Sequence, residues 1–133
     1  MPQPIRVPIN HDADTVAARQ QGRALAAQLG LASTDQALVA TTISELARNI
    51  LQYAKHGEII LDCAEQRGRR GIVVIAHDQG PGIADIELAM QDGYTTGNGL
   101  GLGLPGVRRL MDDFEIVSQV GKGTTVTAKK WAR

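Results

Sequence analysis

The spacing of apolar and polar residues changes twice along the chain. Every second position is apolar at the start, which predicts a strand, and two stretches with helical spacing follow. Two runs rich in isoleucine and valine come next, separated by a polar turn that contains glycine, which predicts a β-hairpin. The predicted elements are a strand at 5–9, a helix from a cap at Asp12 or Asp14 to Gly30, a helix from Ser33 or Thr34 to about Lys55, strands at 58–66 and 71–78, a short helix at 83–90, a helix from about Pro105 to about Asp113, and strands at 114–120 and 124–131.

This order groups the helices apart from the hairpins, which is typical of an α+β fold. We therefore expect a two-layer α/β sandwich, in which helices cover one face of a mixed, mostly antiparallel sheet. The 133 residues fit one domain, 1–133, with neither an internal repeat nor a linker.

Composition narrows the class of protein. Apolar residues make up 43% of the chain, enough for a core, and 14 basic residues balance 14 acidic ones. A net charge of zero argues against binding to nucleic acid, which usually requires a basic excess. Cys63 is the single cysteine, so no disulfide forms within the chain, and there is neither a signal segment nor an apolar run that could span a membrane. These features predict a soluble, cytoplasmic protein without a membrane partner.

Glu45 and Asn49 are four residues apart on the second predicted helix, so their side chains lie on one face. The amide oxygen of Asn49 is a suitable ligand for Mg²⁺, which takes few protein ligands beside phosphate. The carboxylate of Glu45 is a candidate general base for an attacking hydroxyl. The alternative for this pair is a solvated helix face.

The segment Asp78-Gln-Gly-Pro-Gly-Ile83 follows an apolar strand. A carboxylate at the end of a strand can accept a hydrogen bond from the amine of adenine, and Gly80 and Gly82 would let the backbone approach a flat ring closely. A plain turn is the alternative, because Asp, Gly and Pro are common turn residues.

Glycine is unusually dense between Gly93 and Gly106, with six glycines among these fourteen residues. Backbone amides in such a segment, and at the start of the following helix, could point at a phosphate chain. The letters Gly101-x-Gly-x-x-Gly106 also fit a dinucleotide fingerprint, but no strand precedes them, and no Walker A sequence occurs. A flexible structural loop remains as the alternative.

Four motifs in this order resemble those of the GHKL superfamily of ATPases and kinases, which has the Bergerat fold. The resemblance extends from end to end of the chain, and the short length favours the small bacterial serine/threonine kinases of partner-switching systems such as the stressosome. The matching motifs are Glu45-Leu-Ala-Arg-Asn49, Asp78-x-Gly80-x-Gly82, Gly99-x-Gly101-x-Gly103 and Gly121-x-Gly123-Thr124.

The resemblance implies an ATP-dependent protein serine/threonine kinase with ATP and Mg²⁺ as cofactors. It implies that Glu45 is the catalytic base, Asn49 the Mg²⁺ ligand and Asp78 the acceptor for adenine. It also implies two kinds of partner: STAS-domain antagonist and scaffold proteins of the RsbS and RsbR type as substrates, and a PP2C-type phosphatase of the RsbU type that the free kinase activates. The remaining ATP-binding residues that it implies are Gly80, Gly82, Ile83, Gly99, Leu100, Gly101, Leu102, Gly103, Leu104 and Thr124.

Two other functions remain open at this point. One is a nucleotide-binding anti-sigma factor or sequestering module, in which binding of the partner matters more than phosphotransfer. The other is an α+β adaptor that binds no nucleotide.

Overall fold

The computed structural model describes residues 3–90 and 103–133. These residues form five strands, four α-helices and one π-helical segment, and most predicted elements are present at nearly the predicted positions. The elements are β1 (Ile5–Ile9), α1 (Asp12–Gln28), α2 (Ser33–Asn49), the π-helical segment (Ile50–Ala54), β2 (Gly57–Gln66), β3 (Arg69–Asp78), α3 (Ile86–Ala89), α4 (Gly103–Leu110), β4 (Asp113–Gln119) and β5 (Gly123–Trp131).

The five described strands form one sheet in the order β1-β2-β3-β5-β4. The sequence predicted a mixed, mostly antiparallel sheet, and all four described strand pairings are antiparallel. Two hairpins, β2-β3 and β4-β5, account for two of the pairings, and β3 pairs with β5 across the centre. The sheet therefore brings the end of β3 beside the start of β5.

The core lies between the sheet and the helices α1, α2 and α4. Strand β3 contributes Ile72, Val74 and Ala76, which alternate along the strand and are at most 5% exposed. Strand β5 contributes Val126 and Ala128 in the same way, and each pairs in register with a core residue of β3. The alternation selects one sheet face for the core, and the predicted α+β sandwich is confirmed.

The first turn of α1 differs from the prediction in its cap. The N-cap residue is His11, and Asp14 sits one turn inside the helix. Its Oδ2 accepts hydrogen bonds from the backbone amides of Asn10 at 2.8 Å and His11 at 3.0 Å. These two donors lower the pKa of Asp14, because they stabilise its charged form. Asp14 thus stabilises the start of α1 from inside the helix. Asp12 is the first residue of α1 and not its cap.

The start of α2 also differs from the prediction. Its N-cap is Ala32, which makes no side-chain cap, and Ser33 is the first helical residue. Propensity favours serine at the cap itself, but here the amide of Gln36 donates to the carbonyl of Ala32 at 2.8 Å. The Gln36 side chain donates to the carbonyl of Leu31 at 2.9 Å, which ties the helix start to the preceding turn.

The second helix keeps regular α-helical geometry only as far as Asn49, whereas the sequence predicted one helix to about Lys55. Residues Ile50–Ala54 are π-helical, and Lys55 ends the segment with φ of 73°. A π-helical turn widens the backbone and changes the direction of the side chains that follow. Consequently Tyr53 does not occupy the position that continued α-helical spacing would give it.

The last elements shift by a few residues from their predictions. The short helix spans only Ile86–Ala89, and α4 begins at Gly103, two residues before Pro105. Helix α4 ends at Leu110 because the amide of Asp112 already donates to the carbonyl of Lys129 in β5, at 2.8 Å. Among the described helices, none has both the length and the apolar character needed to cross a membrane.

Candidate functional site

A cleft of about 420 Å³ opens at one end of the sheet, and many of the predicted site residues lie in it. Its walls are the end of α2 with the π-helical segment, the ends of β3 and β5, the segment that follows β3, and the start of α4. The lining residues are Leu46, Asn49, Ile50, Tyr53, Ala76, Asp78, Pro81, Gly82, Ile83, Ala84, Asp85, Ala89, Gly103, Leu104, Thr124 and Val126.

Asp78 is the last residue of β3 and stands opposite Thr124 of β5 in the sheet register. Its Oδ1 accepts the backbone amide of Gly80 at 2.9 Å, which closes a tight turn directly after the strand. No other described group donates to Asp78, so its Oδ2 has no hydrogen-bond partner among the described residues, and Asp78 lines the cleft. The strand and the turn together fix this carboxylate at the cleft wall, as the sequence predicted.

The glycines of the same turn are needed for contacts within the protein. A Cβ on Gly80 would lie 2.6 Å from Cβ of Ala54, at the end of the π-helical segment. Gly82 has φ of 78°, and a Cβ there would overlap the carbonyl oxygen of Gln119. Gly82 lines the cleft, but Gly80 does not. The sequence analysis attributed both glycines to close approach of a flat ring. At Gly80 the structure shows a different reason, which is close packing on Ala54.

Ser118 of β4 is a residue that the sequence analysis missed. Its Oγ accepts the backbone amide of Ile83 at 2.7 Å and lies 2.8 Å from Oγ1 of Thr124. The same hydroxyl can donate to the carbonyl of Gly123 at 3.2 Å. Ser118 thus connects the segment after β3 to the start of β5. The sequence offered one indication: in the alternating row Phe114, Ile116 and Ser118, serine stands where the pattern predicts a third apolar residue.

Asn49 and Tyr53 present polar groups from the helical wall of the cleft. Asn49 is the last residue of regular α2, and the π-helical turn that follows brings Tyr53 to the same cleft. Tyr53 remains 43% exposed, which places an aromatic ring at the rim. Uniform helical spacing gave no reason to select Tyr53, because the π-helical turn was not predicted.

Glu45 is buried, with 8% of its surface exposed, and does not line the cleft. Its Oε1 lies 3.9 Å from Nη1 of Arg48, one turn further along α2. Glu45 and Asn49 share one side of the helix, as predicted, but only Asn49 reaches the cleft wall. Arg48 is about half exposed and pairs with the predicted base.

The glycine-rich segment is described only at its end. Gly103 and Leu104 line the cleft, and Leu104 is also part of the core. The predicted residues Gly99, Leu100, Gly101 and Leu102 lie outside the described residues. In residues 3–90 and 103–133, no group of three or more His, Cys, Asp or Glu side chains could hold a metal ion.

The fold agrees with comparisons to known proteins. The family model described as "Histidine kinase-like ATPase domain" matches residues 9–130, and the chain belongs to this family. This result confirms the resemblance to the GHKL superfamily.

Among curated relatives, the chain is 54% identical over 120 residues to the serine/threonine-protein kinase RsbT of Bacillus subtilis (strain 168), covering 90% of each chain. It is 33% identical over 118 residues to the anti-sigma F factor of Thermoanaerobacter sp. (strain X514), covering 86% of this chain and 82% of that one. The identity to RsbT confirms the predicted enzyme class, a protein serine/threonine kinase.

Two solved structures support the fold. The structure of the RsbU and RsbW domains of Rv1364c from Mycobacterium tuberculosis has a TM-score of 0.59 and 22% identity, covering 99% of this chain and 34% of that chain. The mycobacterial sensor histidine kinase MprB has a TM-score of 0.57 and 13% identity, covering 100% of this chain and 99% of that chain. At these identities, the similarity concerns the fold.

Proposed function

We propose that this chain is an ATP- and Mg²⁺-dependent protein serine/threonine kinase of a bacterial partner-switching system for general stress signalling. The observation that carries the proposal is the convergence of Asn49, Asp78 and Thr124 on one cleft. These residues come from a helix and two different strands. A cleft with apolar walls and a few converging polar groups is the usual form of a site for a small molecule.

Asp78 and Thr124 form the adenine end of the proposed site. The unpartnered Oδ2 of Asp78 would accept a hydrogen bond from the exocyclic amine of adenine. When Ser118 donates its proton to the carbonyl of Gly123, the hydroxyl of Thr124 donates to Ser118 and keeps its lone pairs for the ligand. When Ser118 donates to Thr124 instead, the Thr124 proton is free for a ring nitrogen. Thr124 can therefore face either a hydrogen-bond donor or an acceptor of the ligand.

Asn49 and Gly103 form the phosphate end of the proposed site. The amide oxygen of Asn49 would supply one ligand to Mg²⁺, and phosphate oxygens and water would supply the others. The bound ion would neutralise the charge of the phosphates. Gly103 begins α4 at the cleft, so the first amides of that helix, which have no helical partner, can face phosphate.

Glu45 is the proposed general base. It lies one turn before Asn49 on the same side of α2, so a substrate hydroxyl held beside the terminal phosphate would approach this part of the helix. The guanidinium of Arg48, one turn further along the helix, lies 3.9 Å from this carboxylate. Because Glu45 lies behind the cleft lining, we propose that it meets the hydroxyl only when the protein substrate is docked.

The partners are proposed from similarity. The 54% identity between this chain and RsbT, over 90% of both chains, supports STAS-domain substrates of the RsbS and RsbR type. On the same similarity, a PP2C-type phosphatase of the RsbU type is proposed as the second partner, which the free kinase would bind and activate. These partners and the predicted cytoplasmic location belong together, because partner switching needs all components in one compartment.

Thermal unfolding with and without Mg-ATP tests the nucleotide site. A ligand that binds only the folded state at 100 times its Kd adds about 2.7 kcal/mol of stability. We expect Mg-ATP to raise the Tm of the wild type and to leave the Tm of Asp78→Asn unchanged, since the amide presents a donor toward the adenine amine. Asp62→Asn is the matched control, because Asp62 lies on β2 away from the cleft and bonds its neighbour's amide. An equal shift in Asp78→Asn would refute the adenine assignment.

Phosphotransfer is tested by transfer of radiolabel from ATP to a purified STAS-domain protein. We expect Glu45→Gln to abolish transfer while Mg-ATP still raises the Tm. Normal ATP binding without any transfer by the wild type, to STAS proteins of both types, would overturn the proposed substrate.

A second candidate function is a sequestering module, favoured by the 33% identity to an anti-sigma F factor. Here the protein would hold a partner, with turnover of minor importance. The Glu45→Gln variant separates the two functions: if regulation of the partner in cells survives the loss of phosphotransfer, sequestration is the principal activity. The nucleotide-free adaptor is excluded if Mg-ATP raises the Tm.

A further inference from the structure

Lys130 is a buried cation at the end of the molecule away from the cleft. It is 7% exposed and lies near the end of β5, in the row of Val126 and Ala128 that faces the helices. Burying an ammonium group is costly unless it is hydrogen-bonded and paired. A lysine in a core row therefore requires specific partners, and the structure provides them.

Three groups from three elements surround the ammonium group of Lys130. Nζ donates to the carbonyl of Leu110, the last residue of α4, at 2.8 Å. Oδ1 of Asp35 in the first turn of α2 lies 3.9 Å from Nζ, and Oδ1 of Asp112, just before β4, lies 3.7 Å from it. Lys130 thus satisfies a carbonyl that the helix end leaves without a partner, and it lies beside two carboxylates whose side chains are 18% and 20% exposed.

Asp112 extends this cluster to the C-terminal residues. Its Oδ1 pairs with Arg133 at 2.6 Å, and its Oδ2 accepts the backbone amide of Trp131 at 2.9 Å. The side chain of Trp131 donates to Asp113 at 2.8 Å. The residues after α4 are therefore tied to the end of β5 by several short hydrogen bonds, and this end of α4 is firmly held.

Helices α2 and α4 each have one end at Lys130 and the other end at the cleft. The beginning of α2 and the end of α4 meet at Lys130, whereas Asn49 at the end of α2 and Gly103 at the beginning of α4 line the cleft. Helix α4 has 8 residues, so its two ends are only about 11 Å apart at 1.5 Å per residue. A shift of α4 at its Lys130 end must therefore move its cleft end as well.

We propose that Lys130, with Asp35 and Asp112, is a positioning cluster for the nucleotide cleft. It holds α4 against α2 and thereby sets the distance between Gly103 and Asn49. The inference rests on the proposed function and adds to it positioning residues that do not touch the ligand. Asp35, Asp112 and Lys130 are far apart in the chain, and the proposal gives their meeting a role in binding.

Lys130→Met tests the proposal, because methionine retains much of the apolar stem and removes the charge. We expect Mg-ATP, measured by calorimetry at a temperature where the variant is folded, to bind about tenfold more weakly, which is in the range by which residues remote from a ligand modulate it. We also expect hydrogen exchange of the α4 amides, without nucleotide, to accelerate more than that of the central strands. Uniform acceleration of all amides would indicate a merely structural role and would overturn the proposal.

Lys129→Met is the matched control, because Lys129 is the neighbouring residue on the opposite face of the sheet and contacts neither helix through an ion pair. It should leave both measurements unchanged. Asp35→Asn is the second variant if Lys130→Met does not fold, and it should weaken Mg-ATP binding in the same direction. ATP affinity within twofold of the wild type in the folded variants would overturn the proposal. If the wild type bound no Mg-ATP, the proposed function would fail, whereas exchange in α4 would still decide whether Lys130 anchors it.

Discussion

At the residue scale, glycines control how closely the segment after β3 approaches its neighbours. A Cβ on Gly123 would overlap the carbonyl oxygen of Asp78, and one on Gly82 would overlap that of Gln119. The amide of Gly121 also donates to the carbonyl of Pro81 at 2.8 Å. The segment that carries Asp78 is thus packed directly on the turn between β4 and β5, without side chains between the two backbones.

Gly82→Ala and Gly121→Ala separate backbone conformation from close packing. Both glycines have nearly the same positive φ, 78° and 80°. An L-residue in this region costs roughly 1–2 kcal/mol, and we expect Gly121→Ala to lose about this much because nothing lies within 4 Å of its added Cβ. Gly82→Ala adds an overlap with backbone and should lose a total of about 3 kcal/mol or more. Urea unfolding of the two variants gives both values, and equal losses would contradict the packing argument.

The sequence identified several residues that line the cleft but missed others that depend on long-range geometry. Asn49 and Asp78 were selected because of their functional groups and Thr124 because of the family resemblance, and all three line the cleft. Ser118 and Tyr53 were not selected, because their positions depend on long-range geometry. Ser118 reaches Ile83 only through the register of β4 on β5, and periodicity within one strand does not specify the register between two strands.

At the element scale, strand β4 holds the segment after β3 in place through Ser118, a connection that we call the β4 strap. Ser118 connects the amide of Ile83 to the hydroxyl of Thr124, and both of these residues line the cleft. The strap holds one wall of the cleft while the helices form the other. Binding should therefore depend on a residue that does not itself line the cleft.

Ser118→Ala should weaken Mg-ATP binding and reduce stability. It leaves the amide of Ile83 without its partner, which costs about 1–3 kcal/mol if the amide stays buried. Thr125→Val is the control, because the Thr125 hydroxyl bonds His77 at 2.8 Å and belongs to the residue next to Thr124 in β5, where side chains alternate between faces. Calorimetry should show weaker ATP binding only for Ser118→Ala. Equal ATP affinities in the two variants would contradict the strap.

Strand positions were predicted closely, whereas helix ends were not. The strands have clear alternation and glycine-containing turns, and each observed boundary is within two residues of its prediction. Helix ends depend on which partner takes the terminal backbone groups. The amide of Asp112 bonds β5 and ends α4 early. At the end of α2, the π-helical residues Ile50 and Ala54 lie so close to Gly57 and Gly80 that neither glycine could carry a Cβ. Such partners come from distant parts of the chain, so local spacing could not identify them.

At the scale of the whole molecule, a single core joins the cleft to the distant cluster at Lys130. Most of the buried apolar residues of α1, α2, α4, β1, β2, β3 and β5 belong to one contiguous group. Trp131 lies beyond its edge, 7% exposed, with its indole bonded to Asp113. Because it is the single tryptophan of the chain, its fluorescence reports on the end of the sheet farthest from the cleft.

We expect this core to unfold in one cooperative transition. Urea unfolding followed by Trp131 emission should coincide with unfolding followed by circular dichroism at about 222 nm, which reports mainly on the helices, with an m-value of about 1–3 kcal/mol/M. Mg-ATP should move both midpoints upward by the same amount, because it binds only the folded state. Asp78→Asn should keep the coincidence and lose the shift. If the helical signal were lost at lower urea than the Trp131 signal, helices and sheet would unfold separately. Lys130 could then not transmit the spacing of α2 and α4 to the cleft through a rigid core.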